Sequence, residues 1–170
     1  MSTTVAKSNE HMRPFNHIGI SVPDAAACVE WYGRMLGFQL IGPIIHISRE
    51  KTPEDPIFQI YPSTLQEVKL AKMAMGNGVG FEIFEFINPK MKQATEFEYE
   101  RRGFFHICIT DPSPDALNAK FEFNDGKRIS NKVDPSGRGY TQCQYLADPW
   151  GNVVEVLDVG FEAMACLSTM

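Results

Sequence analysis

The chain has 170 residues, 44% of them apolar and 22% charged, with 16 Lys and Arg against 21 Asp and Glu and a formal net charge of -5. That composition is ordinary for a globular domain and excludes disorder, collagen and coiled coil. The acidic balance gives no footprint for nucleic acid or an anionic membrane surface, and no apolar run approaches the roughly 18 residues of a membrane helix.

In chain order, residues 1–12 are polar, lack the apolar stretch of a signal peptide, and are expected as a disordered tail of a cytoplasmic protein. Residues 15–22 alternate as a strand; Asp24 is a good N-cap for a helix over 25–36, with Gly37 placed for a left-handed stop. Residues 38–47 predict a second strand bent at Gly42-Pro43, and 48–66 a proline-rich insert with an extended piece at 57–61. Residues 68–75 and 79–87 predict strands around the turn Gly76-Asn77-Gly78.

A polar linker over 90–102 separates a first module, 13–89, from a second, 103–159. The second module predicts a strand at 104–110 and a helix begun by Ser113-Pro114 and stopped at Asn124-Asp125-Gly126. Strands follow at 128–133, 140–147 and 153–159. Residues 160–170 form a C-terminal tail of undefined structure. Cys28, Cys108, Cys143 and Cys166 are widely spaced, without C-x-x-C, and read as free thiols, three of them in apolar segments.

The two modules repeat one another. NHIGISVPD around His17 matches FHICITDPS around His106, each a strand carrying His and then Pro and Asp before a helix; GVGFEIFE over 78–85 matches GNVVEVLD over 151–158, placing Glu82 over Glu155. Strand alternation puts these imidazoles and carboxylates among apolar side chains at equivalent places. Burying an ionised carboxylate there is costly unless a cation offsets it. His17, Glu82, His106 and Glu155 are therefore expected to hold one divalent cation in a hollow between the halves. Two imidazoles and two carboxylates suit Zn, Ni, Co, Mn or Fe. A one-residue slip in register would put Glu85 in place of Glu82. Phe84, Phe86, Phe104, Tyr140 and Tyr145 are expected to line an apolar substrate cavity.

The motifs NHIGISV, GFEIFEF, GFFHICITD and DPWGNVVEV, spread over about residues 14–159, resemble the vicinal oxygen chelate superfamily. That family includes glyoxalase I, methylmalonyl-CoA epimerase, extradiol dioxygenases and bleomycin-resistance proteins. The resemblance implies an α+β fold of two tandem βαβββ modules forming an open barrel-like cup around a metal. The His, Glu, His, Glu set is similar to that of bacterial-type glyoxalase I. It implies a metal-dependent lyase or isomerase moving a proton next to a carbonyl or enediolate of a small molecule, with Glu155 or Glu82 as the base. An Fe(II)-dependent dioxygenase and a non-catalytic, resistance-type binding protein are the alternatives. The resemblance further implies a homodimer, with the site inside one chain or shared by two.

Overall fold

Each half begins with a strand, crosses over through a helix and returns as a meander. In the computed structural model, which describes residues 13–92, 97–100 and 102–169, the first module is built from β1 (His17–Ser21), α1 (Ala25–Leu36), β2 (Gln39–Leu40), β3 (Ile45–Ser48), α2 (Ile57–Ile60), β4 (Glu67–Ala74) and β5 (Gly80–Asn88). The second has β6 (Ile107–Thr110), α3 (Pro114–Phe123), β7 (Lys127–Arg128), β8 (Cys143–Ala147) and β9 (Val153–Leu157), followed by α4 (Phe161–Thr169). The sheets run β1-β5-β4-β2, with β3 also on β4, and β6-β9-β8-β7. β1 is parallel to β5 and β6 to β9, and the other pairs are antiparallel. The fold is α+β with two open sheets rather than a closed barrel.

Local chemistry sets α1. The Asp24 carboxylate accepts from Ala27 N at 3.0 Å, and Gly37, at φ 71°, donates back to Gly33 O. Ala25, Cys28, Trp31, Tyr32 and Met35 fall on one buried stripe. That stripe packs on Phe81 and Ile83 of β5 and also on Leu117, Phe121, Leu146, Val154 and Val156 of the second module, so both modules share one core. The Trp31 ring meets Phe121 edge-on at 4.9 Å, and its Nε1–H donates to Asn124 O. The Tyr32 hydroxyl donates to buried Asp148 at 3.0 Å. Burial and the Asp148 charge push Tyr32 well above its ordinary pKa, so the hydroxyl keeps the proton it donates.

Several expectations fail locally. The extended piece at 57–61 is instead helix α2: Asp55 accepts from Ile57 N, and Ile57 and Phe58 are buried with Ile47, Leu65 and Val68. A short apolar run fits either element, and packing decides. The single strand at 38–47 is split into β2 and β3 at Gly42 (φ 69°) and Pro43. The strand at 128–133 shortens to β7 plus a lone bridge between Val133 and Cys143. The strand predicted from residue 104 begins at Ile107, and the C-terminal tail contains α4. The tail at 1–12 and Arg101 of the linker lie outside the described residues.

The loop before β8 is organised by one carboxylate. Asp134 accepts from Ser136 N and Oγ, Arg138 N, Gly139 N and Thr141 Oγ1, and these bonds hold its pKa well below the usual carboxylate range. A lowered folded pKa stabilises above the unfolded value, and that contribution is lost as pH falls toward the folded one. Asp134→Ala is expected to free the loop and speed tryptic cleavage after Arg138, as followed by limited proteolysis; an unchanged cleavage rate would refute the role.

Candidate metal centre

Register places the four candidate ligands in two pairs. Gly19 of β1 lies opposite Glu82 and His17 opposite Gly80, so His17 and Glu82 share a sheet face, while Phe81 and Ile83 point into the core. His17 Nε2 is 3.6 Å from Glu82 Oε2. In the second module Cys108 lies opposite Glu155, Val154 and Val156 point into the core, and His106 Nε2 is 3.2 Å from Glu155 Oε2. The repeat in sequence is thus a repeat in geometry: one imidazole beside one carboxylate on the face of each sheet turned away from the shared core.

Glu85 is on the other face of β5. Its carboxylate accepts from Ala25 N at the start of α1 and pairs with Lys69 Nζ at 2.8 Å, which keeps it away from the His17 face. Gly80 leaves room for the imidazole: a Cβ there would come within 2.9 Å of His17 Cβ. Gly80→Ala is expected to push His17 off Glu82 and weaken divalent-cation binding about tenfold, read by titration calorimetry; wild-type affinity would contradict this.

The surroundings contain groups that sequence reasoning missed. Cys143 donates its S–H to Glu155 Oε1 at 2.9 Å. Burial and then contact with Glu155 push the Cys143 and Cys108 thiols up to about 12, so both stay protonated donors rather than nucleophiles. Their positions opposite or diagonal to Glu155 on neighbouring strands were the available signal. Tyr61, carried in by the insert, packs its ring 6.1 Å from Phe84 and 5.9 Å from Phe86; burial, then the Glu82 charge, raises its pKa. Its counterpart in the second module is Tyr145, one of the expected substrate residues, 5.1 Å ring to ring from His106 and with its pKa raised by burial and then Glu155.

The expected substrate residues divide. Phe84 and Phe86 stack on one another 5.6 Å apart, half-buried on the Glu82 face. Phe104 is 97% exposed but borders a cleft of about 460 Å³ together with Ile18, Ile20, Tyr32, Arg102 and His106. Tyr140 is 68% exposed on the Asp134 loop and is not among the residues lining that cleft.

The four candidate ligands stand as two separate pairs. Among the described residues no group of three or more His, Cys, Asp or Glu side chains could hold a metal ion. The donor chemistry nevertheless fits a divalent cation: in both pairs an imidazole Nε2 faces a carboxylate oxygen, and His106 Nδ1 is buried without a hydrogen-bond partner.

Comparison with known proteins agrees with the fold. A family model described as Glyoxalase/Bleomycin resistance protein/Dioxygenase superfamily matches residues 15–156. The chain is 24% identical over 153 residues to a lactoylglutathione lyase of Pseudomonas aeruginosa, covering 84% of this chain and 81% of that protein. Among solved structures it is similar to a glyoxalase family protein from Bacillus cereus (TM-score 0.68, 16% identity, 91% of this chain and 97% of that one). It is also similar to the fosfomycin resistance protein FosX of Listeria monocytogenes, solved with Mn(II) and sulfate (TM-score 0.55, 13% identity, 89% and 97%).

Proposed function

Because the chain belongs to the glyoxalase/bleomycin resistance protein/dioxygenase superfamily, we propose that it is a divalent-metal-dependent lyase or isomerase of the glyoxalase I type, with each site completed between two copies of the chain. One observation carries this reading: two equivalent His–carboxylate pairs lie on sheet faces that both turn away from the shared core. A single chain leaves each half-site open. A second copy, placed by a two-fold axis, would bring the His106–Glu155 face of one chain over the His17–Glu82 face of the other.

A cation held by His17, Glu82, His106 and Glu155 would be Zn, Ni, Co, Mn or Fe, and it would supply Lewis-acid polarisation of a substrate oxygen. The chain's own groups do the rest. Glu155, held between Cys143 and His106 until substrate arrives, takes the proton from the carbon beside the carbonyl and returns it to the neighbouring carbon. Glu82 balances charge on the opposite side. Phe84, Phe86 and Tyr61 form an apolar wall that limits water. Arg102, in the same cleft as His106, suits a substrate with an anionic group.

Subunit complementation tests the shared site. His17→Ala and His106→Ala, each inactive alone toward the adduct of an α-ketoaldehyde with glutathione, are mixed and re-equilibrated. Half of the dimers are then mixed, and each mixed dimer has one intact site, so about a quarter of wild-type activity should return. No recovery despite demonstrated subunit exchange would refute sharing.

A further inference from the structure

The duplicated halves differ at the residue just before the histidine: Asn16 in one, Phe105 in the other. Asn16 Oδ1 lies 2.6 Å from His17 Nδ1. A carbonyl oxygen can only accept, so Nδ1 must carry the proton and Nε2 keeps its lone pair. That lone pair faces Glu82 at 3.6 Å, too long for a hydrogen bond. Phe105 offers no acceptor. It presents its ring edge-on to His106 at 4.7 Å, and His106 Nδ1 is buried without a partner. Glu155 Oε2 lies 3.2 Å from its Nε2, and a carboxylate oxygen can only accept. The same residue type therefore has an acceptor at Nδ1 in the first module and none in the second.

We propose that Asn16 is a positioning residue that locks His17 as the Nδ1–H tautomer with Nε2 ready to donate to a cation, whereas His106, denied such a partner by Phe105, carries its proton on Nε2, on the side of Glu155. The consequence for metal loading rests on the function proposed above. The first module is a preset half-site. The second must first move its proton from Nε2 to Nδ1 and release Glu155, which Cys143 also holds at Oε1. A second-sphere partner that fixes the tautomer of a metal-ligating imidazole typically changes affinity 10- to 100-fold, so the two histidines contribute unequally although the sequence repeats them.

The test begins with the metal-free full-length chain. Long-range 1H–15N spectra of the imidazoles, recorded where both are neutral, should show His17 as Nδ1–H and His106 as Nε2–H. Asn16→Ala should return His17 to the Nε2–H form that free imidazole side chains favour in water. Asn16→Asp, which keeps an acceptor, should hold it as Nδ1–H. The Asn16 side chain is exposed and its backbone oxygen makes the strand contact to Gly80, so these variants keep the fold. With Zn2+ alone, calorimetry should show weaker binding by 10-fold or more for Asn16→Ala, recovery for Asn16→Asp, and tighter binding for Phe105→Asn. Finding His17 as Nε2–H in the unaltered chain, or an Asn16→Ala chain with unchanged tautomer and unchanged Zn2+ affinity, would overturn the proposal. The assigned tautomers in a chain that binds no divalent cation would instead sink the enzymatic reading and leave Asn16 in its role.

Discussion

Glu155→Gln is expected to lower turnover at least a hundredfold while leaving divalent-metal content near that of the unaltered chain. Glutamine keeps the shape and one carbonyl oxygen, so a ligand position is retained, but it cannot take a proton from carbon at neutral pH. Losses of 10²–10⁴ are usual when a general base is removed. Two groups meet the carboxylate, Cys143 at Oε1 and His106 at Oε2, and an amide satisfies one of them by accepting. The measurement pairs elemental analysis with steady-state rates on the glutathione adduct. Metal lost together with activity would make Glu155 a ligand only, and Glu82→Gln would then be the variant to show the selective fall in rate.

The second large effect is on stability. Asp148 is buried between the modules and accepts from Tyr32 Oη, Trp150 N, Asn152 N and Asn152 Nδ2. Asp148→Ala leaves these donors facing one another without an acceptor. Each buried orphan costs about 1–3 kcal/mol, and partial relaxation makes a total near 3 kcal/mol a fair expectation, or roughly 6–12 °C in Tm for a chain of this size. Tyr32→Phe removes a single donor and is expected to cost nearer 1 kcal/mol. Burial raises the Asp148 pKa above its ordinary 3.8, against the pull of its hydrogen bonds. A raised folded pKa gives stability fully present below the ordinary value and lost as pH rises through the folded one. Asp148→Asn should flatten that part of the Tm–pH curve, as differential scanning calorimetry would show; an unchanged slope would contradict the assignment.

Much of this architecture was legible because it is written twice. The spacing of Cys28, Trp31, Tyr32 and Met35, closed by Asp24 and Gly37, defined α1 to the residue. Strand parity favoured Glu82 but left Glu85 open to a one-residue slip; the register puts Glu82 on the His17 face and Glu85 with the helix. What stayed hidden is what packing decides. Residues 57–61 read as extended, and they become helix because Ile57 and Phe58 pack with Leu65 and Val68. The bond of Cys143 to Glu155 and the packing of Tyr61 on Phe84 and Phe86 depend on which strands and loops become neighbours, information that no local pattern holds. The four candidate ligands were expected around a single cation, inside one chain or shared by two. They occur as two pairs because the helices of both modules are buried against one another, which turns the ligand faces outward.

That back-to-back arrangement has a bearing on communication. In a two-fold assembly each chain would lend one half to each of two reaction centres, and the pillar joining those halves is the Trp31–Phe121 and Tyr32–Asp148 contact. Occupancy of one centre would therefore pull on the same pillar that shapes the other, and the pair would behave as a coupled unit in which filling the first changes the ease of filling the second.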